Sequence, residues 1–372
     1  MMRIAIWGAG KFGHYIKDQL EKRKDVTLIG FIDQNTQLCK ETRDLKVMTL
    51  LQAREQNVDY IFIAVLNFPS VLKQLRQENL DGIAFVRDRV YTFKKKFSED
   101  ILHDNNIVWL KDIDINKPWL RKLETNIMDN CNLNCKGCSH FSNLFAKDTY
   151  IPFDRFCKDL EQIAGNVNII HFYLLGGEAL LNERLTEYIE FSRQILPYTA
   201  IEIVSNGLLI QKQPDKFFEC CRKNDVLISI SGYKPTLLIK DKIEDILKKK
   251  NVEYLFREDV LEFGKNIDLQ GTADPATAVA NCRENDCHFF RNGRLYKCPF
   301  EALGNYFFSH YGIDIRLNGG IDIFNSHLNW DEVVKKIENQ PIDACRYCGE
   351  EERVEWKVEN YPKLEDWIIS NE

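Results

Sequence analysis

Over residues 1–90, short apolar runs alternate with helically spaced stretches. Residues 4–7 form an apolar run ending in Gly8, and 12–22 repeat apolar positions at helical spacing. A second run spans 26–32 and closes at Asp33-Gln34-Asn35, while 60–66 and 83–86 give two further strand candidates. Strand–helix–strand order predicts a parallel sheet. Residues 91–120 are more polar, with Pro118 near their end, and mark a linker and domain boundary. A second series then begins. Its predicted strands are 124–128, 169–175, 201–204, 226–230 and 252–256, and its predicted helices 153–163, 183–195, 215–222 and 236–249. Turn-forming and polar residues sit at the carboxyl ends of these strands, the edge where parallel α/β folds bind ligands. From Gly271 the pattern turns irregular and cysteine-rich, with one helix at 330–338, and 354–369 is mixed and uninformative.

With 372 residues the chain has room for two or three domains, and its 44% hydrophobic content suits packed cores. A formal net charge of -6 argues against a nucleic-acid backbone or an anionic membrane as main partner. Lys94–Lys96 and Lys248–Lys250 are short basic runs of the kind found at solvated helix ends. No apolar stretch approaches membrane-spanning length, and the amino terminus reads as a buried strand, not a signal peptide. The expected location is the cytoplasm, where thiols stay reduced. Twelve cysteines therefore need another explanation than disulfides. Eight fall in three groups, 131/135/138, 282/287/298 and 345/348, which suggests metal. Cys39, Cys157, Cys220 and Cys221 stand apart and read as small buried hydrophobes.

The first group directly follows a predicted strand as Cys131-Asn-Leu-Asn-Cys135-Lys-Gly-Cys138. Three thiolates on one short loop can hold three corners of a cubane, leaving the fourth iron free to take a chelating ligand. Gly176-Gly177-Glu178 ends the next strand, Ser205-Asn206-Gly207 the third, and Ser229 and Ser231 lie in the fourth. This ordered set, over roughly 120–270, resembles the radical SAM superfamily. The resemblance implies a partial (β/α)₆ barrel, a [4Fe–4S] cluster on Cys131, Cys135 and Cys138, and S-adenosylmethionine chelated by the open iron. It implies that the Gly176-Gly177-Glu178 backbone holds the methionine amino group, with polar contacts to ribose and methionine from Ser205, Asn206, Ser229 and Ser231. Many members carry an aromatic residue before the third cysteine. This chain has Gly137, with His140 or Phe141 as substitutes. The rival is a Cys₃His zinc site using His140, whose spacing from Cys138 is tighter than usual and which leaves the other motifs unexplained.

Cys282, Gly293, Cys298 and the pair Cys345/Cys348 resemble the auxiliary-cluster subdomains called SPASM and twitch. Four thiolates match the one-cluster form, a second [4Fe–4S] cluster, with structural zinc as the alternative. Gly293 would turn a small hairpin, 289–296, that presents Cys298. Cys287 is left over: a substitute for Cys282, a catalytic group, or inert.

At the amino terminus, Gly8-Ala-Gly10-Lys-Phe-Gly13 follows a strand and precedes a helix, and Asp33 closes the next strand. This matches the dinucleotide-binding fingerprint, in which glycines admit a pyrophosphate and the acid takes ribose hydroxyls. The segment also looks like the amino-terminal domains of bacterial sugar-modifying enzymes, including amino-sugar acetyltransferases. That resemblance implies a nucleotide-sugar guest, and a docking domain without a ligand is the alternative.

The expected architecture is α/β throughout: a Rossmann-like domain (1–115), a radical SAM partial barrel (116–270) and a cysteine-rich auxiliary-cluster subdomain (271–372). The expected reaction is hydrogen abstraction from a small-molecule or carrier-linked substrate, a sugar or nucleotide-sugar first and a peptide second. Electrons would come from a flavodoxin or ferredoxin. No catalytic residue stands out. A nicotinamide-dependent oxidoreductase with structural zinc and a non-catalytic metal-stabilised binding protein are the readings of other classes.

Overall fold

A computed structural model describes residues 1–33, 45–65, 69–87 and 107–370. The Gln34-Asn35 turn, Cys39, the Lys94–Lys96 run and most of the expected linker lie outside the described residues. The chain divides into two compact units, Met1–Asn116 and Lys117–Glu372.

The first unit builds a six-stranded sheet from β1 (Met2–Trp7), β2 (Val26–Ile32), β3 (Val47–Met48), β4 (Tyr60–Ile63), β5 (Ala84–Arg87) and β6 (Ile107–Trp109), with α1 (Lys11–Leu20), α2 (Leu50–Glu55) and α3 (Pro69–Gln77) between strands. The order is β3-β2-β1-β4-β5-β6. All neighbours are parallel except the β5–β6 edge pair. Ile4, Ile6, Phe31, Phe62 and Phe85 form its core. The glycine run turns from β1 into α1. Gly8 has φ +112, and a Cβ on Gly13 would lie 1.8 Å from the Gly8 carbonyl oxygen, so the helix packs on the turn with no room for a side chain.

The second unit begins with β7 (Trp119–Met128), α4 (Phe153–Asn166), β8 (Asn168–Gly176), α5 (Leu185–Ile195), β9 (Ala200–Ser205), α6 (Asp215–Lys223), β10 (Leu227–Gly232), α7 (Lys234–Leu237), α8 (Lys240–Lys249) and β11 (Tyr254–Asp259). It continues through β12 (Glu262–Ile267), α9 (Pro275–Ala280), β13 (Phe289–Arg291), β14 (Arg294–Tyr296), α10 (Pro299–His310), β15 (Ile321–Asp322), α11 (Trp330–Asn339) and β16 (Cys348–Glu355). The main sheet runs β11-β10-β9-β8-β7-β13-β14-β15, and β12 pairs with β16 in a separate two-stranded sheet.

Two expectations change here. Successive parallel strands number five, β7 to β11, not six. After β11 the chain reverses into β12, which pairs antiparallel with the distant β16. The cysteine-rich segment is also no separate body. Its hairpin β13–β14 joins the main sheet beside β7, where Phe289 pairs with Glu124. The hairpin itself lies where expected, with Gly293 at φ +79 in its turn.

The main sheet has two unlike faces. Leu123, Ile127, Phe172, Leu174, Ile201, Ile203, Ile228 and Ile230 pack on the helices in one apolar core, joined by Cys220 and Cys221. Residues of opposite parity, Lys122, Glu124, Asn126, His171, Tyr173, Glu202, Ser229, Ser231 and Arg257, line the other face. In α4, Phe156, Leu160 and Ile163 are buried at helical spacing against the apolar side.

The glycine turn generates a paired prediction. Gly13→Ala destabilises the first unit by about 1–3 kcal/mol, because the new methyl overlaps a carbonyl. Gly10→Ala stays within about 0.5 kcal/mol, as nothing lies within 4 Å of the place its new methyl would take. Urea midpoints of the two variants check it.

Candidate functional site

The cysteine loop leaves the carboxyl end of β7 and is seated by contacts from four directions. From β8, Gly176 and Gly177 press against it. A Cβ on Gly176 would lie 1.9 Å from Met128 O, and one on Gly177 2.3 Å from Asn130 O. The N–H groups of Gly177 and Glu178 donate to Met128 O and Asn130 O, at 2.8 and 3.1 Å. The glycine pair thus admits the loop's own main chain. Glu178, fully buried, accepts from Leu180 N, Ser205 Oγ and Asn206 N at 3.0, 2.7 and 2.8 Å. Burial raises its carboxyl above the usual range, and those hydrogen bonds oppose the rise. Ser205 also accepts from Gly207 N, so Glu178 and Ser205 are committed to joining the ends of β8 and β9. From β9, Asn206 Nδ2 donates to Asn132 Oδ1 at 2.7 Å and stands 3.7 Å from Cys131 Sγ.

The third direction is the β13–β14 hairpin. Arg291 holds the fully buried Asp129 through two hydrogen bonds of 2.7 Å. The fourth is the carboxyl-terminal segment, in which the sequence showed no pattern. Lys136 N donates to Lys357 O at 2.9 Å, Glu359 N to Asn134 O at 2.6 Å, and Trp367 Nε1 to Cys138 O at 2.8 Å. Gly137 sits under this strap at φ +67, where a Cβ would meet Asp366 O at 2.7 Å. An aromatic residue has no space there. Neither expected substitute reaches the thiols. Phe141 is buried among Phe307 and Trp367, and His140 Nδ1 donates to Asn126 Oδ1 at 3.0 Å. The aromatic side chains packed in one cluster with Cys131, Cys135 and Cys138 are Tyr233, Phe263 and Trp356.

Burial pushes the Cys135 thiol up to about 12, with Cys138 adding to the rise. Burial likewise raises Cys131, helped by Glu178 and its two fellow cysteines. Thiolates form here only if a cationic centre offsets these effects. Four buried polar atoms around the loop also have no hydrogen-bond partner: Asn126 Nδ2, Asn130 Oδ1, Asn143 Oδ1 and Trp356 Nε1. Such atoms cost stability unless a guest supplies a partner. The residues present therefore fit a polar, cationic group at this loop. Among the described residues, no three His, Cys, Asp or Glu side chains are placed to hold a single metal ion.

Four further cysteines lie beyond β12. Cys298 caps α10, Cys345 lies in the turn before β16, Cys348 begins β16, and Cys282 follows α9. All four are raised, first by burial. Cys348 is raised further by Cys345 and Cys282, and Cys298 by Cys348. Cys287 is placed elsewhere. Its sulfur accepts from Lys122 Nζ at 3.1 Å, and that ammonium also pairs with Glu124 at 3.3 Å. Burial, then Glu124, push the Cys287 thiol up to about 12.

Lys122 belongs to the polar face of the sheet. Burial works against its charge, but Glu124 and Cys287 outweigh burial and raise its pKa. Lys122 and Arg257 approach the Tyr173 ring, at 4.7 and 5.9 Å from its centroid. Arg257 Nε donates to Ser229 Oγ at 2.7 Å and its guanidinium stands 3.8 Å from Glu202. Ser229 is thereby engaged, while Ser231 faces the same side half-buried. Burial raises Glu124 to about 7, with Lys122 opposing the rise.

In the first unit, Asp33 Oδ2 accepts from Ala9 N at 2.9 Å, so the acid supports the glycine turn. Gly10 precedes the first turn of α1 and leaves its surroundings open. A cavity of ≈ 360 Å³ lies beside Trp7, Ile32, Asp33 and Thr49, at the carboxyl ends of β1 and β2.

Comparison with known proteins gives a partial picture. The family described as PglD N-terminal domain matches residues 3–68. No curated protein matches the chain. Among solved structures, BtrN in complex with AdoMet and 2-DOIA is 16% identical at a TM-score of 0.39, over 63% of this chain and 94% of BtrN. Streptococcus suis SuiB bound to S-adenosylmethionine is 13% identical at 0.30, over 60% of this chain and 68% of SuiB. Native anSMEcpe with bound AdoMet is 17% identical at 0.31, over 37% of this chain, and the match spans 43% of anSMEcpe, less than half its length.

Two predictions arise from this geometry. Arg291→Met leaves Asp129 a buried, unpaired charge and costs about 3–5 kcal/mol, read from urea unfolding. The second concerns pH. Glu124 keeps its proton up to about 7 in the fold, against an ordinary value of 4.5. Between those values the unfolded chain releases a proton that the fold retains, so stability falls as pH rises through that window. Glu178, Glu202 and Glu284, all raised by burial, act in the same direction. Glu124→Gln therefore shrinks, without abolishing, the stability difference between about pH 5 and about pH 8.

Proposed function

We propose that the second unit is a radical SAM enzyme whose first centre is a [4Fe–4S] cluster held by Cys131, Cys135 and Cys138. The observation that carries this reading is the packing of Cys131, Cys135 and Cys138 in one cluster at the carboxyl edge of a parallel sheet, with four unpartnered buried polar atoms around it. When bound, such a cluster with S-adenosylmethionine supplies a 5′-deoxyadenosyl radical that abstracts a substrate hydrogen. The chain's own residues do the positioning. Gly176, Gly177 and Glu178 seat the loop, Ser205 fixes Glu178, and Asn206 reaches from β9 to Asn132 and Cys131. Tyr233 and Trp356 supply an aromatic wall where an adenine ring can pack. The unpartnered Asn130 Oδ1 suits an ammonium group.

The polar face running from Lys122 to Arg257 suits a substrate rich in hydroxyl or amino groups. Its buried charges offer both donors and acceptors, and Glu124, at about 7, can take a substrate proton near neutrality. Cys282, Cys298, Cys345 and Cys348 would hold an auxiliary [4Fe–4S] cluster, with flavodoxin or ferredoxin as electron donor to the protein. The first unit is read as a Rossmann-like nucleotide-sugar domain. Its strand order, the open Gly10, the Asp33 carboxylate and the match over residues 3–68 support that. A sugar or nucleotide-sugar is accordingly the substrate class.

Metal analysis of anaerobically prepared protein should give about eight irons per chain, and about four after Cys131→Ala or Cys345→Ala. With dithionite and S-adenosylmethionine, 5′-deoxyadenosine should form in the parent protein and disappear in Cys131→Ala. Stoichiometric zinc in place of iron, or no 5′-deoxyadenosine from iron-loaded protein, would overturn the reading.

A further inference from the structure

A second cavity, of ≈ 320 Å³, lies in the second unit. Its walls are the end of β14, the first turn of α10, the loop 317–321, the last turns of α11 and the segment 341–344. Two charged side chains in that lining, Lys297 and Glu301, are only 3% and 6% exposed. The Lys297 ammonium donates one hydrogen bond, to Ile337 O at 2.7 Å. The Glu301 carboxylate accepts two, from Lys297 N at 2.8 Å and from Gly320 N at 3.0 Å. Gly319 presses on the same carboxylate, where a Cβ would lie 2.1 Å from Oε1. Among the described residues, neither charge forms an ion pair, with the other or with a third group. Lys336 and Asp343, both exposed, carry the lining out to solvent. An ammonium has three donors and a carboxylate about four acceptor sites, so each keeps about two unused. Burying a charge without a counter-charge is costly. The bond to Ile337 O caps the last turn of α11, and the bonds to Glu301 tie down the 317–321 loop. A neutral or exposed group could do either task. The unused capacity of both charges therefore points to a guest.

We propose that this cavity is a binding site for a free α-amino acid, whose carboxylate meets Lys297 and whose ammonium meets Glu301. Opposite charges that line one cavity without pairing call for a ligand that carries both. A simple anion would satisfy Lys297 and leave Glu301 buried and unpaired, and a simple amine would do the reverse. The volume is at the small end for ligand pockets, as an amino acid requires. Leu295 and Leu317 supply apolar wall for its side chain. The lining shares no residue with the cysteine loop or with the polar face, so the proposal does not rest on the iron–sulfur reading.

The test is isothermal titration calorimetry of the full chain with each protein amino acid in turn. At least one should bind saturably. Its deaminated acid and its decarboxylated amine, each carrying one of the two charges, should bind about tenfold or more weakly, because each loses a charged hydrogen bond. Lys297→Met and Glu301→Gln should each weaken the amino acid by a similar factor. A second measurement needs no variant and decides the matter if either one fails to fold. In the parent protein the bound amino acid should slow backbone hydrogen exchange in 317–321 and 336–344. Absence of saturable binding by any amino acid overturns the proposal. So does a half-ligand that binds as tightly as the whole, an unchanged affinity in either folded variant, or protection confined to other segments.

Discussion

The second unit depends on a main-chain contact: the backbone of residues 128–130 lies against Gly176 and Gly177 with no room for a side chain between them. This contact fixes where β7 ends and where the cysteine loop starts. Glu178 then converts the contact into a hub, because its buried carboxylate draws Ser205 and Asn206 to the same point. Asn206 passes the constraint on to Asn132 beside Cys131. Arg291 closes the arrangement from the opposite edge of β7 through Asp129. A loop of small and polar residues, which alone would sample many conformations, is ordered by its neighbours at the cost of buried charge. Natural proteins accept such costs where a site must be held in shape.

The polar face of the main sheet is the second departure from what folding alone would favour. Parallel sheets covered on both faces usually carry apolar side chains on both. Here Glu124, Asn126, Glu202 and Ser229 are buried, and their charges are balanced within the face by Lys122 and Arg257. Such balance makes the face tolerable; apolar packing would have been at least as stable. A face of this kind therefore argues for a polar guest, and it lies on the strands whose carboxyl ends carry the cysteine loop, Glu178 and Asn206.

Local signals were legible in the sequence and long-range pairings were not. The spacing of Cys131, Cys135 and Cys138, the glycine pair and the βα alternation all report on neighbouring residues, and the structure places them on strand ends as expected. Strand β7 begins five residues earlier than its apolar pattern suggested, since its first half carries Arg121 and Lys122 in succession. The pairing of β12 with β16 joins residues about ninety positions apart, and β16 reads Cys-Gly-Glu-Glu-Glu-Arg-Val-Glu, with no residue buried. Such a strand has no buried face to announce it. The strap made by residues 357–367 escaped notice for the same reason, and with it the explanation of Gly137. The missing aromatic residue before the third cysteine reflects the Asp366 carbonyl lying where a side chain would start.

The spare cysteine, Cys287, sits among charged neighbours. As a substitute for Cys282, Cys287 would have to leave Lys122, whose ammonium bridges it to Glu124 inside the sheet. The groups that perturb it are Glu124, Lys122 and Glu284, whereas Cys348 responds to Cys345 and Cys282. Electrostatically it therefore belongs to the polar face and not to the four-thiol group. Burial, then Glu124, raise its thiol. Inertness fits less well, because an inert buried cysteine packs in an apolar core, as Cys220 and Cys221 do. Glu284, raised by burial, acts electrostatically on Glu124 and Cys287 as well as on Cys298 and Cys348, so that face and these two cysteines share a neighbour.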